Sequence, residues 1–419
     1  YALAAMLYSL IVDTPYLDFA FETRRALRQI ATSAMRPFVD RGVEPWPAVE
    51  AVLRRALEKF PEHRYHDTAA FVNALKAAVR EAPRETVGSL PRTRPVRRPV
   101  PDLFALFSSR VGELTIEGRA GLLTRPRSSF ANGAAGIAYC AYRLAVLRND
   151  PRLLSLADAW IAYAAERGET REGYHNESTL SRGPFAKVSL LHGRSGVAAV
   201  RALIAHAMGD VLTVNEAARA VGASVGERGD TFDLSFGSPG ALLAAAQIVE
   251  AARGEPWVDL AAMERKANTA ARQIAVSLGG RPSVVADTRR LNLGAAHGWG
   301  GVLFALMRWH QASAWKLPDV VERRLAELAD AADPAGRGLR WPWRQNTRLH
   351  GTTATYMPGW CNGSAGLVHV WLTAHATFGR PRYLALADAA AWDTWEGASA
   401  PLPDLCCGLA GRSYALLAL

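Results

Sequence analysis

No stretch of the 419-residue chain stays apolar for the eighteen or so residues that a membrane-crossing helix needs, so no membrane insertion is expected. Lysine is scarce. Lys59, Lys76, Lys187, Lys266 and Lys316 are the whole set, and arginine carries nearly all of the net charge of +10. No basic helix and no interleaving of basic with aromatic residues stands out, which argues against a nucleic-acid partner. The charge reads as solvated surface, or as a field that draws in an acidic partner such as a leader peptide. The apolar start, from Tyr1 to Leu10, lacks the basic n-region and cleavage site of a signal peptide. It also lacks an initiator Met, which suggests a cut chain. Cysteine is rare too: Cys140, Cys361, Cys406 and Cys407 are too few for a disulfide framework in a chain of this length. Cys406 and Cys407, being adjacent, cannot easily bridge each other. The expected compartment is the reducing cytoplasm, and the cysteines raise the question of metal or catalysis.

What is present falls into three parts. Residues 1–83 read as helices with short connections: Val49 to Phe60 carries apolar residues at helical spacing. Asp67 caps a further amphipathic stretch through Phe71, Leu75 and Val79. Residues 84–101 hold four prolines among arginines, which forbid a helix and favour an extended linker. The third part, 102–419, opens a new apolar segment at Leu103.

The first part resembles the last helices of a serine/threonine protein-kinase C-lobe. Lys59-Phe-Pro-Glu-His-Arg64 corresponds to that family's K-D-P-x-x-R, with Phe60 in place of the aspartate. The resemblance implies that Arg64 is the arginine that pairs with the glutamate ending the activation segment. The Gly-rich loop, the strand lysine, H-R-D and D-F-G are all missing from the chain. The expectation is therefore an incomplete kinase C-lobe remnant that phosphorylates nothing, with ATP belonging only to the missing part.

The third part carries an internal repeat. A G-x-x-G unit recurs at Gly133/Gly136, Gly193/Gly196, Gly237/Gly240, Gly298/Gly301, Gly363/Gly366 and Gly408/Gly411, about 45 or about 60 residues apart. Each of the first five opens an apolar helix. More amphipathic helices, such as Leu153–Ala165, Ala261–Leu278 and Asp319–Ala332, lie between them. Apolar helices alternating with amphipathic ones predict an all-α fold, an α/α toroid of inner and outer helices.

Aligning the units on their first glycine puts Asn132, His192, Phe236, His297, Asn362 and Cys407 in one row. Cys361 and Cys406 stand one position earlier in the last two units. If the units are structurally equivalent, Cys361, Cys406 and Cys407 converge at helix N-termini around one rim, where thiolates are favoured. Three thiolates with an open position make a first shell for zinc, and a substrate thiol can fill the fourth place. The competing reading is small buried residues packing a core, which is how Cys140, inside an inner helix, is read. His297, in the turn Ala296-His-Gly-Trp-Gly-Gly, is a candidate general acid/base or a further metal ligand. Asp233, four residues before Gly237, either orients a histidine, takes a proton, or simply caps its loop. His192 has similar placement and no further support.

His297-Gly298-x-x-Gly301, Trp360-Cys361-Asn362-Gly363 and Cys406-Cys407-Gly408 resemble the three signature motifs of the LanC-like lanthionine cyclases. The resemblance runs over roughly 103–419. It implies that Cys361, Cys406 and Cys407 are ligands of one Zn2+, in the all-cysteine variant, and that His297 and Asp233 are the active-site histidine and aspartate. It further implies seven repeats, of which six are seen, leaving the ring open. The family's arginine before the W-C motif is replaced by Met357, with Arg340, Arg344 or Arg348 as candidate substitutes.

Kinase-like and cyclase-like parts in this order resemble the class III and IV lanthipeptide synthetases, and retention of all three cysteines points to class IV. The implied function is addition of a peptide cysteine thiolate to dehydroalanine or dehydrobutyrine. The implied partner is a precursor peptide with a leader and a dehydrated core. The alternative is a degenerate toroid that grips peptide without catalysis. A prenyltransferase-type toroid mixes Asp, Cys and His ligands, and a glycosidase-type toroid needs paired carboxylates, so neither suits this rim.

Overall fold

The computed structural model describes residues 1–19, 23–81, 104–105, 107, 123, 126–168, 170–174, 188–227, 232–286, 292–343, 355–357, 359–397 and 402–419. The chain divides into two compact units, Tyr1–Leu106 and Phe107–Leu419.

The first unit contains helices α1 (Ala2–Val12), α2 (Thr23–Thr32), α3 (Pro47–Ala56) and α4 (Thr68–Glu81), of which α1, α3 and α4 share a core built on Tyr8, Phe38, Leu53 and Phe71. The amphipathic spacing sets the buried face of α3. Its Glu50, buried among those residues, accepts from the backbone N–H groups of Phe38 and Trp46, both at 3.2 Å. The Asp67 carboxylate caps α4 by accepting from Ala70 N at 2.7 Å. Arg64 donates to the carbonyls of Glu58 and Lys59, at 2.7 and 3.0 Å, and lies over the Tyr1 ring.

The second unit alternates inner and outer helices. Its elements in chain order are α5 (Ala134–Arg148), α6 (Pro151–Arg167), the short α7 (Arg171–Tyr174), α8 (Arg194–Met208), α9 (Val211–Gly226), α10 (Ser238–Ala251) and α11 (Ala261–Gly279). Then come α12 (Trp299–Ala312), α13 (Asp319–Asp330), a hairpin of β1 (Asp333–Ala335) and β2 (Gly338–Arg340), α14 (Ser364–Phe378), α15 (Pro381–Glu396) and α16 (Leu409–Leu416). The hairpin is antiparallel, with Pro334 opposite Leu339. Helices α5, α8, α10, α12, α14 and α16 form the inner layer, each packed on the next, and every one follows a G-x-x-G unit. The outer helices α6, α9, α11, α13 and α15 each pack on the inner helix before them. This is the expected α/α toroid architecture. The sixth unit opens a helix as well.

Local sequence explains the reversals between layers. Three inner helices end on a residue in the left-handed region: Asn149 closes α5, Gly209 closes α8 and Gly379 closes α14. The outer helix then starts within two residues, on Asp150-Pro151, on Asp210, or on Pro381. Asp150 and Asp210 accept from the backbone N–H groups of Arg152 and Thr213. A left-handed stop followed by a carboxylate cap or an N1 proline gives a tight turn. The inner helices α10, α12 and α14 are buried on nearly all sides, whereas α11 buries only Met263, Ala267, Ala270, Ala271, Ile274, Ala275 and Leu278. That contrast follows from the patterning, continuous in the first group and at 3–4 spacing in the second. Cys140, expected in the core, is exposed. The buried positions of α5 are Ala134, Ala135, Ala138, Ala141 and Ala145, and this spacing leaves Cys140 on another face.

The second glycine of every unit serves one purpose. A Cβ at Gly136, Gly196, Gly240, Gly301, Gly366 or Gly411 would meet the carbonyl oxygen six residues upstream at 1.9–2.3 Å. The incoming loop lies flat on the helix start, and only glycine leaves room for it. Gly366→Ala, which would place Cβ 2.0 Å from the Trp360 oxygen, is expected to cost at least about 2–3 kcal/mol through forced overpacking. Gly279→Ala, with nothing within 4 Å, is expected to be neutral or to gain up to about 1 kcal/mol from helix propensity. Urea denaturation of the two variants beside the wild type checks both signs.

Candidate metal centre

The loops before the inner helices lie side by side in strict register. Counting back from the first glycine of each unit, the residue at the second position donates its N–H to the carbonyl of its counterpart in the following unit at four of the five junctions. Ala131 bonds Leu191 at 2.8 Å, Ser235 bonds Ala296 at 3.0 Å, Ala296 bonds Cys361 at 2.8 Å, and Cys361 bonds Cys406 at 3.1 Å. Position four supplies the turn caps. Ser129, Ser189, Asp233 and Asp404 each accept from the backbone N–H three residues on, that of Asn132, His192, Phe236 and Cys407. In the two remaining loops this position is Gly294 and Gly359. A Cβ at Gly294 would meet Cys361 O and Asn362 Cα at 2.4 Å, and one at Gly359 would meet Cys407 Cα at 2.4 Å. These two glycines let the His297, Cys361 and Cys406–Cys407 turns close on each other. Sequence reasoning missed both, because the atoms that approach them belong to other loops.

The result is a cluster. The Cys361 and Cys407 sulfurs stand 3.5 Å apart, those of Cys407 and Cys406 3.4 Å, and all three lie within 4.8 Å of one another. Cys361 is 4% exposed, Cys407 half-buried and Cys406 exposed, so the group is buried at one end and open at the other. Asn362 donates its side-chain N–H to Cys361 Sγ at 3.7 Å. Hydrogen bonding with Cys361, then with Cys406, and the charge of nearby His297 draw the Cys407 thiol down to about 3. The same sharing, with Cys361 first and Cys407 second, pushes Cys406 well up.

Four tetrahedral Zn–S bonds of about 2.3 Å set sulfurs roughly 3.8 Å apart. Gaps of 3.4 and 3.5 Å inside a 4.8 Å span fit one such ion, and three soft sulfurs are the donor set it prefers.

Beside the sulfurs, His297 and Asp233 meet. His297 Nδ1 lies 2.8 Å from Asp233 Oδ2, with side-chain exposures of 23% and 14%. Asp233 Oδ1 meanwhile accepts from Phe236 N at 2.8 Å. Asp233 thus both caps its turn and contacts His297, one oxygen serving each. His297 is followed by Gly298 at φ 96°, ψ −144°, a backbone that side-chain-bearing residues enter only under strain. The His192 ring stacks on Phe236 and Phe236 stacks on His297, each at 5.0 Å between centroids with planes 20° and 26° apart. Burial foremost, and then the charge of His297, lowers His192 to about 4.

Arg340, one candidate for the family arginine, is engaged elsewhere: its guanidinium lies 3.8 Å over the Tyr356 ring at the hairpin. Arg344 and Arg348 lie outside the described residues. Under the rim, a cavity of about 340 Å³ is bounded by Leu234, Ala295 and Trp360 above and by Arg308, His369 and Tyr414 below, and none of the candidate site residues lines it. Among the described residues, no helix is long and apolar enough to cross a membrane.

Comparison with known proteins adds the following. A family model described as lanthionine synthetase C-like protein matches residues 126–419. No curated protein matches the chain. Among solved structures, one titled nisin cyclase superposes with a TM-score of 0.54, at 14% identity, over 75% of this chain and 80% of that one. At that identity the likeness is one of fold.

Proposed function

The chain belongs to the lanthionine synthetase C-like family, and from that premise we propose that it is a zinc-dependent lanthionine cyclase acting on a dehydrated precursor peptide. The observation that carries the proposal is the convergence of three cysteine sulfurs within 4.8 Å, next to an imidazole held by a carboxylate.

Cys361, Cys406 and Cys407 would hold one zinc ion, in a cluster that is exposed on its Cys406 side. Zinc bound there supplies the positive charge that keeps a peptide cysteine thiol deprotonated near neutral pH. The peptide thiolate adds to the β-carbon of dehydroalanine or dehydrobutyrine. A C–S bond forms, the C=C π pair moves toward the carbonyl as an enolate, and the α-carbon then takes a proton. His297 is the group to deliver it. With Nδ1 committed to Asp233, its Nε2 is left for proton exchange. Asp233 orients the ring through that bond.

The proposal extends to the first unit. Residues 1–83 are read as the end of a kinase-like domain and 84–101 as a linker, as in a class IV synthetase. The upstream domains of such an enzyme phosphorylate the precursor and eliminate phosphate before cyclisation. The reducing cytoplasm suits three free thiols.

The test is metal analysis of the purified protein, followed by incubation with a synthetic peptide carrying one dehydroalanine and one cysteine. Cyclisation leaves the mass unchanged but removes the thiol, so alkylation with iodoacetamide reports it. About one zinc per chain and loss of alkylation are the expected results. A folded protein with no zinc and full alkylation would sink the cyclase reading and leave a toroid that grips peptide without catalysis.

A further inference from the structure

We infer that Phe236 is a positioning residue for His297, backed by His192, so that three successive rim positions form one stacked unit that aims the His297 imidazole. The inference rests on His297 being the proton donor of the proposed cyclase.

The argument begins with what the Asp233 bond leaves undone. A single hydrogen bond at Nδ1, 2.8 Å long, fixes where that nitrogen sits. It does not stop the ring from swinging about the Nδ1···Oδ2 line, which would sweep Nε2 through an arc. A flat partner against the ring face removes that freedom. Phe236 is that partner, at 5.0 Å and 26°. His192 then closes the far side of Phe236 at 5.0 Å and 20°, so the phenyl cannot turn away without displacing a half-buried neighbour.

The arrangement follows from the repeat. His192, Phe236 and His297 each directly precede the first glycine of their units. The loops are held edge to edge by bonds such as Ser235 N–H to Ala296 O, so side chains in this row face one another. Phe236 also sits three residues after Asp233, whose other oxygen caps its N–H. One carboxylate thus sets both the hydrogen bond and the stacking face. Since burial keeps His192 neutral at neutral pH, the stack adds no second cation beside a protonated His297. A phenyl face toward an imidazolium is favourable in itself.

Four variants test the assignment: Phe236→Leu, Phe236→Tyr, His192→Ala and His192→Phe. Phe236→Leu keeps the volume apolar but removes the flat face. It is expected to lower kcat roughly 10- to 100-fold, the range for a misaimed catalytic group, with KM and zinc content unchanged. Phe236→Tyr, with its ring intact, is expected to recover most of that loss. His192→Phe, which rebuilds the stack with a second phenyl, is expected to recover what His192→Ala loses. Wild-type kcat in Phe236→Leu would overturn the inference. So would a His192→Phe variant as impaired as His192→Ala, which would give the His192 imidazole a chemical role of its own. A readout independent of turnover is the ring-current shift of the His297 carbon-bound protons in NMR spectra, upfield in the wild type and relaxed in Phe236→Leu. If the wild type forms no thioether ring, the cyclase reading fails and this shift still judges the stack.

Discussion

Replacing Cys361 and Cys407 together by alanine is expected to abolish both zinc binding and ring formation. Zinc per chain should fall from about one to under about a tenth, since a single remaining thiolate cannot hold the ion. Thioether formation should fall with it, because a peptide thiol in neutral solution is only a few per cent thiolate. The variant that separates metal loss from general thiol loss is Cys140→Ala. That residue is exposed on another face of its helix and is expected to leave zinc and activity unchanged. Cys361 is buried, so the double variant needs a check of folding, and its helical circular dichroism should match the wild type. Inductively coupled plasma mass spectrometry gives the metal, and iodoacetamide protection of the peptide gives the ring. Full zinc in the double variant would move the metal away from these sulfurs.

The second large effect is at His297. His297→Asn is expected to lower kcat by roughly 10²- to 10⁴-fold, the usual worth of a positioned general acid, with zinc content intact. Asp233 offers a finer separation because its two oxygens do different work. Asp233→Asn keeps an oxygen for the Phe236 N–H and loses the charge facing His297. Asp233→Ala loses both. Activity is expected to drop in each, whereas stability is expected to drop only in Asp233→Ala, by about 1 kcal/mol, the usual cost of a lost cap. Single-turnover rates and thermal melts on the same samples decide the matter. An Asp233→Asn variant with wild-type turnover would reduce the residue to its structural role.

The repeat carried most of what was legible. Aligning six glycines put Cys361 with Cys406, and Cys407 with His297, in rows that coincide with the hydrogen-bonded register of the loops. The alternation of layers was equally plain, because buried helices are apolar throughout and outer ones only at 3–4 spacing. Other features needed three dimensions. The hairpin Asp333–Arg340 contains too few residues to show a period. Gly294 and Gly359 matter through what approaches them from other loops, which no local pattern records. Cys140 was misplaced because an apolar stretch does not say which face of a helix is covered. Phe236 carries no sequence signal beyond its place in the aligned row, and its value lies in the imidazoles on either side.

The bonds between successive loops have a further consequence. Cys361 gives its N–H to Cys406 and its carbonyl to Ala296, whose own carbonyl takes the N–H of Ser235, so the last four loops of the rim are stitched into one hoop segment by backbone atoms alone. Side chains are bystanders to that stitching. Each place beside the hoop is therefore a socket, filled here by Asn132, His192, Phe236, His297, Asn362 and Cys407, whose occupant can be exchanged without redrawing the frame. Such a frame lets a cap, a ring, a proton donor or a metal ligand be tried at one address while the others hold still. Chemistry on this scaffold can change one tooth at a time.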